Sequence, residues 1–426
     1  MIHVLGERRV SAIFVDMPKA SVCPRLRSVE TIYVPHATLG QALLLRDGEG
    51  IAPGAVAIPM DLVPVISRFD GVSSPAVVAQ RASRASGKTV ETSVVERLIA
   101  ELDSAFMLDT PRFRARRREV MEAFSSSEER PAHHAGGAYH NDPAKLARFI
   151  DEQCLGKATG RTKAGRMVGL CAPHMDLWRA ATGYGHAYRA LADALPPEVD
   201  TFFLFGTSHA PMRRPFAVCD KRFATPLGAL EPDRDAMSFL AKRSRFDIRE
   251  DEYLHKGEHS LEFQVVFLRH LLGDRPARIV PVLCGLGEAQ AKGRDPSRDA
   301  AAESFLVALG ELVERYSRRA FVVAGADLAH VGPRFGDRRP LDEGERRALE
   351  GRDAESLRLA MKRDASGFFS QVASDLDTRR VCGLGPIYTM LRALAPEASG
   401  ELLHYAQCVD PEEGSIVSHA SVGFYE

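Results

Sequence analysis

The chain has 426 residues, more than one ordinary domain requires and enough for two or three. Hydrophobic residues make up 45% and charged residues 27%, the balance of a globular protein able to bury a full core. The formal net charge of −1 supplies no global field to draw the chain onto nucleic acid or anionic lipid, so any such contact would need a local patch.

Taken in chain order, MIHVLGERRVSAIFVDMPKA carries charges inside its apolar stretches and does not read as a signal peptide. No window approaches the run of roughly twenty apolar residues that a membrane helix needs. The seven cysteines are odd in number, scattered and without CxxC spacing, which fits reduced thiols and a cytoplasmic location. Within residues 1–27, ERRVSAIFVD is a candidate strand and the rest gives no clear signal. Next, ETIYV, QALLL and AVAI alternate with turns at Asp47-Gly48 and Pro53-Gly54. Helical patterns follow over Met60–Phe69, Ser74–Ala85 and Thr89–Phe106; in the last, Val94, Val95, Leu98, Ile99 and Leu102 recur at three- and four-residue spacing. Strands followed by three short helices predict a small winged-helix-like module over residues 28–124. Its last stretch, PRFRARRREVMEAF, holds Arg112, Arg114, Arg116, Arg117 and Arg118; a solvated helix is favoured over a nucleic-acid patch, given the neutral chain. Ser125–Gly137 is polar, with Gly and Pro, and the linker is placed at residues 125–134.

From residue 135 to 426 the rhythm changes. The apolar runs MVGLCA, TFFLFG, ARIVPVLCG and AFVVAGA alternate with helical patterns over Ala187–Leu195, Ser260–Leu272 and Ala300–Tyr316. Continuous apolar strands separated by helices predict an α/β fold, a mainly parallel sheet covered on both faces. Three of these strands deliver a histidine just past the carboxyl end: His174, His209 and His330. That edge is where ligands bind in open α/β sheets. A shared polar site is favoured over coincidence, and imidazole is the commonest ligand for first-row metals. Cys382, in VCGLGPI, precedes a helical pattern; it reads either as a small buried residue or as a thiolate whose pKa the helix dipole lowers. Cys284 has the buried reading more strongly. In GEHSLEFQVVFLRH the order is not HExxH, so a zinc-protease reading fails. Glu258, His259 and Glu262 form a polar edge there, equally consistent with orienting metal ligands and with capping a helix. No Walker A loop, GxGxxG after a strand or GxSxG elbow occurs.

An ordered series of segments resembles the Memo family, including its AmmeMemoRadiSam system protein B group. AGGAYHNDPAKLARFID resembles the family's AGxxY opening, APHMDLWRA its PHAGY segment, GTSHA its GP-S/N-H segment and EHSLEFQ its EHSLE string. IVPVLCG resembles the IxPVLVG strand, AGADLAHVGPRFG the SSDFSHYG segment, CGLGPI the CGxxPI turn and VSHASVGF the VSYA-type end. The resemblance implies a fold related to class III extradiol dioxygenases, metal ligands at His174, His209 and Cys382, and an acid/base pair at Asp327 and His330. It also implies a mononuclear iron or copper ion, a small-molecule or peptide substrate, and a radical SAM protein as partner. The function implied is a redox or dioxygenase-like metalloenzyme; the alternative is a non-catalytic peptide- or metal-binding protein. Two departures stand out: the family's His-Ala-Gly-Tyr is His174-Met175-Asp176-Leu177 here, and its Ser-Ser before the Asp is Gly325-Ala326. The N-terminal module is loosely similar to the PqqD-like winged helix, which binds peptides.

Overall fold

The computed structural model describes residues 3–5 (backbone), 22–158, 165–287, 293–376 and 378–426. The chain divides into two compact units, residues 1–126 with 334–336, and residues 127–333 with 337–426.

The N-terminal unit has a four-stranded antiparallel sheet in the order β1-β4-β3-β2. Its strands are β1 (His3–Leu5), β2 (Glu30–His36), β3 (Gly40–Arg46) and β4 (Ala55–Pro59). Helices α1 (Val63–Ile66), α2 (Pro75–Ser86), α3 (Thr92–Ser104) and α4 (Pro111–Ser126) follow. The periodic residues Val95, Leu98, Ile99 and Leu102 of α3 are buried, against Leu43, Leu45, Val56 and Ile58 of the sheet. The helix expected over Met60–Phe69 shrinks to the four residues of α1. Pro64 lacks an N–H and suits only a first turn. The Asp70 carboxylate then accepts the Val72 and Ser73 amides at 2.9 and 2.8 Å and turns the chain. The arginines of α4 have local partners: Arg114 pairs with Asp109 at 2.7 Å, Arg116 with Glu119 at 3.2 Å and Arg117 with Glu49 at 2.7 Å, and Arg112 lies over the Phe106 ring. The candidate strand ERRVSAIFVD lies outside the described residues.

In the second unit, β5 (Glu129–Arg130) and α5 (Pro143–Phe149) precede β6 (Met167–Ala172), α6 (Ala181–Ala194) and β7 (Thr201–Thr207). Short strands β8 (Phe216–Val218), β9 (Arg222–Thr225) and β10 (Gly228–Pro232) lead to α7 (Arg234–Arg243) and α8 (His259–Leu272). Next come β11 (Arg278–Cys284), α9 (Ala300–Tyr316), β12 (Ala320–Gly325) and β13 (Asp327–Val331). Helices α10 (Glu343–Met361), α11 (Ala365–Ala373) and α12 (Leu384–Ala393) and the long strands β14 (Ser399–Val409) and β15 (Ile416–Tyr425) close the chain.

The large sheet runs β13-β15-β6-β12-β7-β11-β10-β9-β5, with β14 on β15 and β8 on β11. Its centre, β6-β12-β7-β11-β10, is parallel. The apolar runs form that centre because both their faces are covered: every residue of β6 and β12 is buried. Phe203, Phe205, Phe216 and Phe305 share the core, and fully burying such a side chain contributes ~1.5–3 kcal/mol. The flanks depart from a mainly parallel reading, since β13, β14 and β15 pair antiparallel with their neighbours. β15 is wholly buried although Ser418, His419 and Ser421 lie in it, so apolar runs alone do not reveal it.

The polar stretch Ser125–Gly137 is built into this unit from Ser127 onward. Arg130 is fully buried and donates to the carbonyls of Pro131 at 2.8 Å, His255 at 2.8 Å and Glu258 at 2.6 Å, while pairing with the Glu262 carboxylate. Among the described residues no helix is long and apolar enough to cross a membrane, and none of the seven cysteines is in a disulfide.

Candidate metal centre

His174 follows β6 by two residues, His209 follows β7 by two, and Cys382 sits two residues before α12. Parallel strands end on one side of a sheet, so β6 and β7, separated only by β12, deliver their histidines to one edge. One donor atom from each of His174, His209 and Cys382 lies within 4.8 Å of the other two. The Cys382 Sγ is 3.2 Å from His174 Nε2, although 208 residues separate them in sequence.

Each histidine has one nitrogen fixed by the fold. His174 Nδ1 meets the Gly325 carbonyl at 2.9 Å, which assigns Nδ1 the proton and leaves Nε2 as the free donor. His209 Nδ1 lies 3.0 and 3.1 Å from the two Glu258 carboxylate oxygens, and the His209 amide donates to the same carboxylate at 2.9 Å. Carboxylate–imidazole–metal triads are held this way. Glu258 is also the N-cap of α8, accepting the Ser260 amide at 2.9 Å. One carboxylate therefore both holds the His209 ring and caps α8. Burial by itself would raise the Glu258 carboxyl, but His209 and His259 beside it and the hydrogen bonds from His209 hold it well below the ordinary value.

Two glycines allow α8 to approach. Gly206 on β7 and Gly325 on β12 are cross-strand neighbours. A Cβ on Gly206 would meet Ser260 Oγ at 2.5 Å, and one on Gly325 would meet the Ser260 carbonyl at 2.3 Å. Only hydrogen at both positions lets the first turn of α8 rest on the strand ends and bring Glu258 to His209. Gln264, one turn on, donates to the Pro173 carbonyl at 2.9 Å and so fixes the residue before His174.

Asp327 is buried and accepts the His174 amide at 3.0 Å, with its second oxygen 3.6 Å from His174 Nε2. Asp327 and His330 both lie in β13. Residues three apart on a regular strand face opposite sides. A bulge in the β13–β15 pairing between Asp327 and His330 removes that conflict, as bulges re-aim side chains beside functional sites. His330 Nδ1 lies 3.2 Å from the Leu328 carbonyl, and burial pushes the imidazole down to about 4.

Cys382 differs from the expectation that a helix start lowers its pKa. Burial, with Asp327 adding, pushes the thiol well above its ordinary value, because desolvation of a thiolate outweighs the dipole of a helix ten residues long. Burial likewise lowers His174. An unloaded site thus holds a neutral thiol and a neutral imidazole.

A second group, His209 with Glu258 and His259, also has donor atoms within 4.8 Å. Its Glu258 already receives the Ser260 amide and both His209 N–H groups, so it serves better as an orienting group than as a ligand. His259 stacks on His209 with ring centroids 4.6 Å apart and meets the His174 ring at 5.5 Å.

A family model described as Memo-like protein matches residues 130–423. The chain belongs to the Memo family. A MEMO1 family protein of Aquifex aeolicus (strain VF5) is 28% identical over 388 residues, 91% of this chain and 96% of the relative. MEMO1 family protein TTHA0924 of Thermus thermophilus is 30% identical over 269 residues, 62% of this chain and 74% of the relative. A MEMO1 family protein of Methanosarcina acetivorans is 29% identical over 294 residues, 66% of this chain and 97% of the relative. The likeness to the Aquifex protein therefore reaches into the N-terminal unit, while the Memo model begins at Arg130, the residue that braces the Glu258 loop. Sequence reasoning missed that role of Arg130; an arginine in a polar stretch gives no local sign of burial, and its position five residues before the AGGAY segment was the available hint.

Proposed function

We propose that this Memo-family chain is a redox metalloenzyme holding one iron or copper ion between His174, His209 and Cys382. The observation that carries the reading is the convergence of those three donors with the far nitrogen of each histidine already engaged, His174 by Gly325 and His209 by Glu258. Three ligands leave a coordination position for substrate, the usual catalytic arrangement. A tetrahedral centre with M–N near 2.1 Å and M–S near 2.3 Å needs N···S separations of about 3.6 Å, close to the contact between His174 and Cys382. The bound ion would supply Lewis acidity and one-electron redox capacity at that open position.

The protein's own groups do the remaining work. Cys382 releases its proton on loading, so affinity rises with pH. Asp327 fixes the His174 backbone and keeps a carboxylate beside the pocket. His330, neutral at pH 7, accepts a proton from a bound hydroxyl and returns it later. The substrate class is a small molecule or peptide. The N-terminal unit, read as a PqqD-like winged helix, would dock the peptide, and a radical SAM protein of an AmmeMemoRadiSam system would act on the same chain. The fold reading is that of an extradiol dioxygenase relative.

Metal analysis of untagged protein tests this. His174→Ala should abolish the metal bound at this centre, whereas His330→Ala should keep it and lower turnover, measured as oxygen uptake with candidate substrates, by ~10²–10⁴-fold. Equal metal loss from both variants makes His330 a ligand and removes the open position. Metal retained in both, with no turnover by wild type, favours a binding protein.

A further inference from the structure

β13 carries Asp327 and His330 and is the last strand at its end of the large sheet. Its open edge takes the segment that also delivers Cys382. The His330 amide donates to the Arg379 carbonyl at 2.7 Å, and the Gly383 amide donates to the Asp327 carbonyl at 3.0 Å. The Arg380 guanidinium donates to the His330 carbonyl at 3.1 Å. Gly383 is required at this approach, because a Cβ there would collide with the Asp327 carbonyl oxygen. Residues 379–383 and β13 are thus one hydrogen-bonded layer, with Cys382 on one member and Asp327 and His330 on the other.

A buried polar network anchors this layer. The Arg379 side chain is 1% exposed, and its guanidinium donates to Asp353 at 2.9 Å, Asp375 at 2.6 Å, Ser356 Oγ at 3.1 Å and Gln371 at 3.1 Å. Asp353, on α10 and fully buried, accepts the hydroxyls of Ser418 at 2.6 Å and Tyr405 at 3.0 Å on its other oxygen. Ser418 Oγ in turn accepts the Ala329 amide at 2.9 Å. Ala329 lies inside the β13 bulge, where the ladder with β15 is interrupted and an amide is left without a strand partner. One carboxylate therefore reaches both edges of β13: through Arg379 the edge that holds Cys382, and through Ser418 the bulge between Asp327 and His330.

We propose that Asp353 is a positioning residue for the candidate centre: through Arg379 and Ser418 it holds the Cys382 segment in place on β13. The inference rests on the reading of Cys382 as a metal ligand with His174 and His209. A merely stabilising role fits less well. Exchanging a buried ion pair for apolar residues of similar volume is often neutral or stabilising, so what this pair supplies is a fixed position. A ligand set must be held within roughly 0.5 Å of its productive geometry by side chains that are themselves locked. Cys382 precedes α12 by two residues and so lacks a helical turn of its own. Arg380, two residues before it, has a φ of +49°, which a non-glycine residue keeps only where its surroundings fix it. Arg379 and Asp353 are those surroundings.

The test compares wild type with Asp353→Asn and with the pair Asp353→Leu and Arg379→Met, which removes both charges and preserves stability. The pair stands in for Asp353→Asn if that variant fails to fold. Metal-free protein is labelled with iodoacetamide, and each cysteine is followed by peptide mass spectrometry. Both variants should speed labelling of Cys382 by about tenfold or more, while the buried Cys171 and Cys284 keep the wild-type rate. In Co2+-loaded protein the thiolate-to-metal charge-transfer band should weaken in both. Tyr405→Phe removes a hydroxyl from Asp353 without touching β13 or Arg379, and should change neither readout. Cys382 labelling at the wild-type rate in the double variant, or a rise shared equally by Cys171 and Cys284, overturns the proposal. A wild type without the Co2+ band overturns Cys382 as a ligand; the labelling needs no metal and still decides whether Asp353 places Cys382.

Discussion

Glu258 and Glu262 stand one helical turn apart at the start of α8, both buried, and they serve different ends. Glu258 faces His209 and locks its ring. Glu262 faces away from the centre: it pairs with Arg130, accepts the Tyr139 hydroxyl, and accepts the His134 amide at 2.9 Å. A buried carboxylate in a chemically suggestive motif is thus assigned by its partner. Beside the His209 imidazole it fixes the orientation of a ring; beside a buried guanidinium it holds two chain segments together.

Glu262→Ala should produce the largest change. It leaves Arg130 buried without its counter-charge, which costs about 3–5 kcal/mol. Urea unfolding of metal-free protein measures this, and a loss below about 1 kcal/mol would mean that Arg130 is satisfied by backbone carbonyls alone.

Glu258→Gln should be milder in stability, since an amide oxygen still accepts the Ser260 amide, but should lower metal affinity by ~10–100-fold. Competition against a chromophoric chelator reads that directly. If Glu262→Ala lowers affinity and Glu258→Gln does not, the two roles have been exchanged.

The smallest effect is a pH dependence on the Glu262 side. Burial pushes His255 down to about 3, with Arg130 adding. Below the ordinary value of 6.5 the unfolded chain takes up a proton at His255 that the folded chain does not. Stability of metal-free protein should therefore fall as pH drops from 6.5 toward 4, and be flat in this respect above 6.5. His255→Gln should make that fall shallower; an unchanged slope in urea midpoints would show that His255 is protonated in the fold.

Much of the central architecture was legible locally. MVGLCA, TFFLFG, ARIVPVLCG and AFVVAGA became β6, β7, β11 and β12 because a strand covered on both faces must be apolar throughout, and that leaves a contiguous trace. His174 and His209 could be placed at a sheet edge because each directly follows such a run. The antiparallel flank was not legible in the same way. In β15, Ser418 and His419 are buried by partners on other elements, Ser418 by Asp353 at 2.6 Å across 65 residues. β13 is short, and its bulge depends on register with β15, which no segment encodes alone.

The chain's order of apolar runs, turns and strand-end histidines thus set by itself which elements form and which edge carries polar chemistry, because burial on both faces or one imposes a local period. Tertiary structure alone decided that Cys382 reaches His174 across 208 residues, that Glu258 and not Glu262 faces His209, and that His330 shares a side with Asp327. Those outcomes rest on close approaches, such as Ser260 over Gly206 and Gly325, and on pairings between distant segments. Their free energy depends on geometry summed over the whole sheet, and no window of sequence contains it.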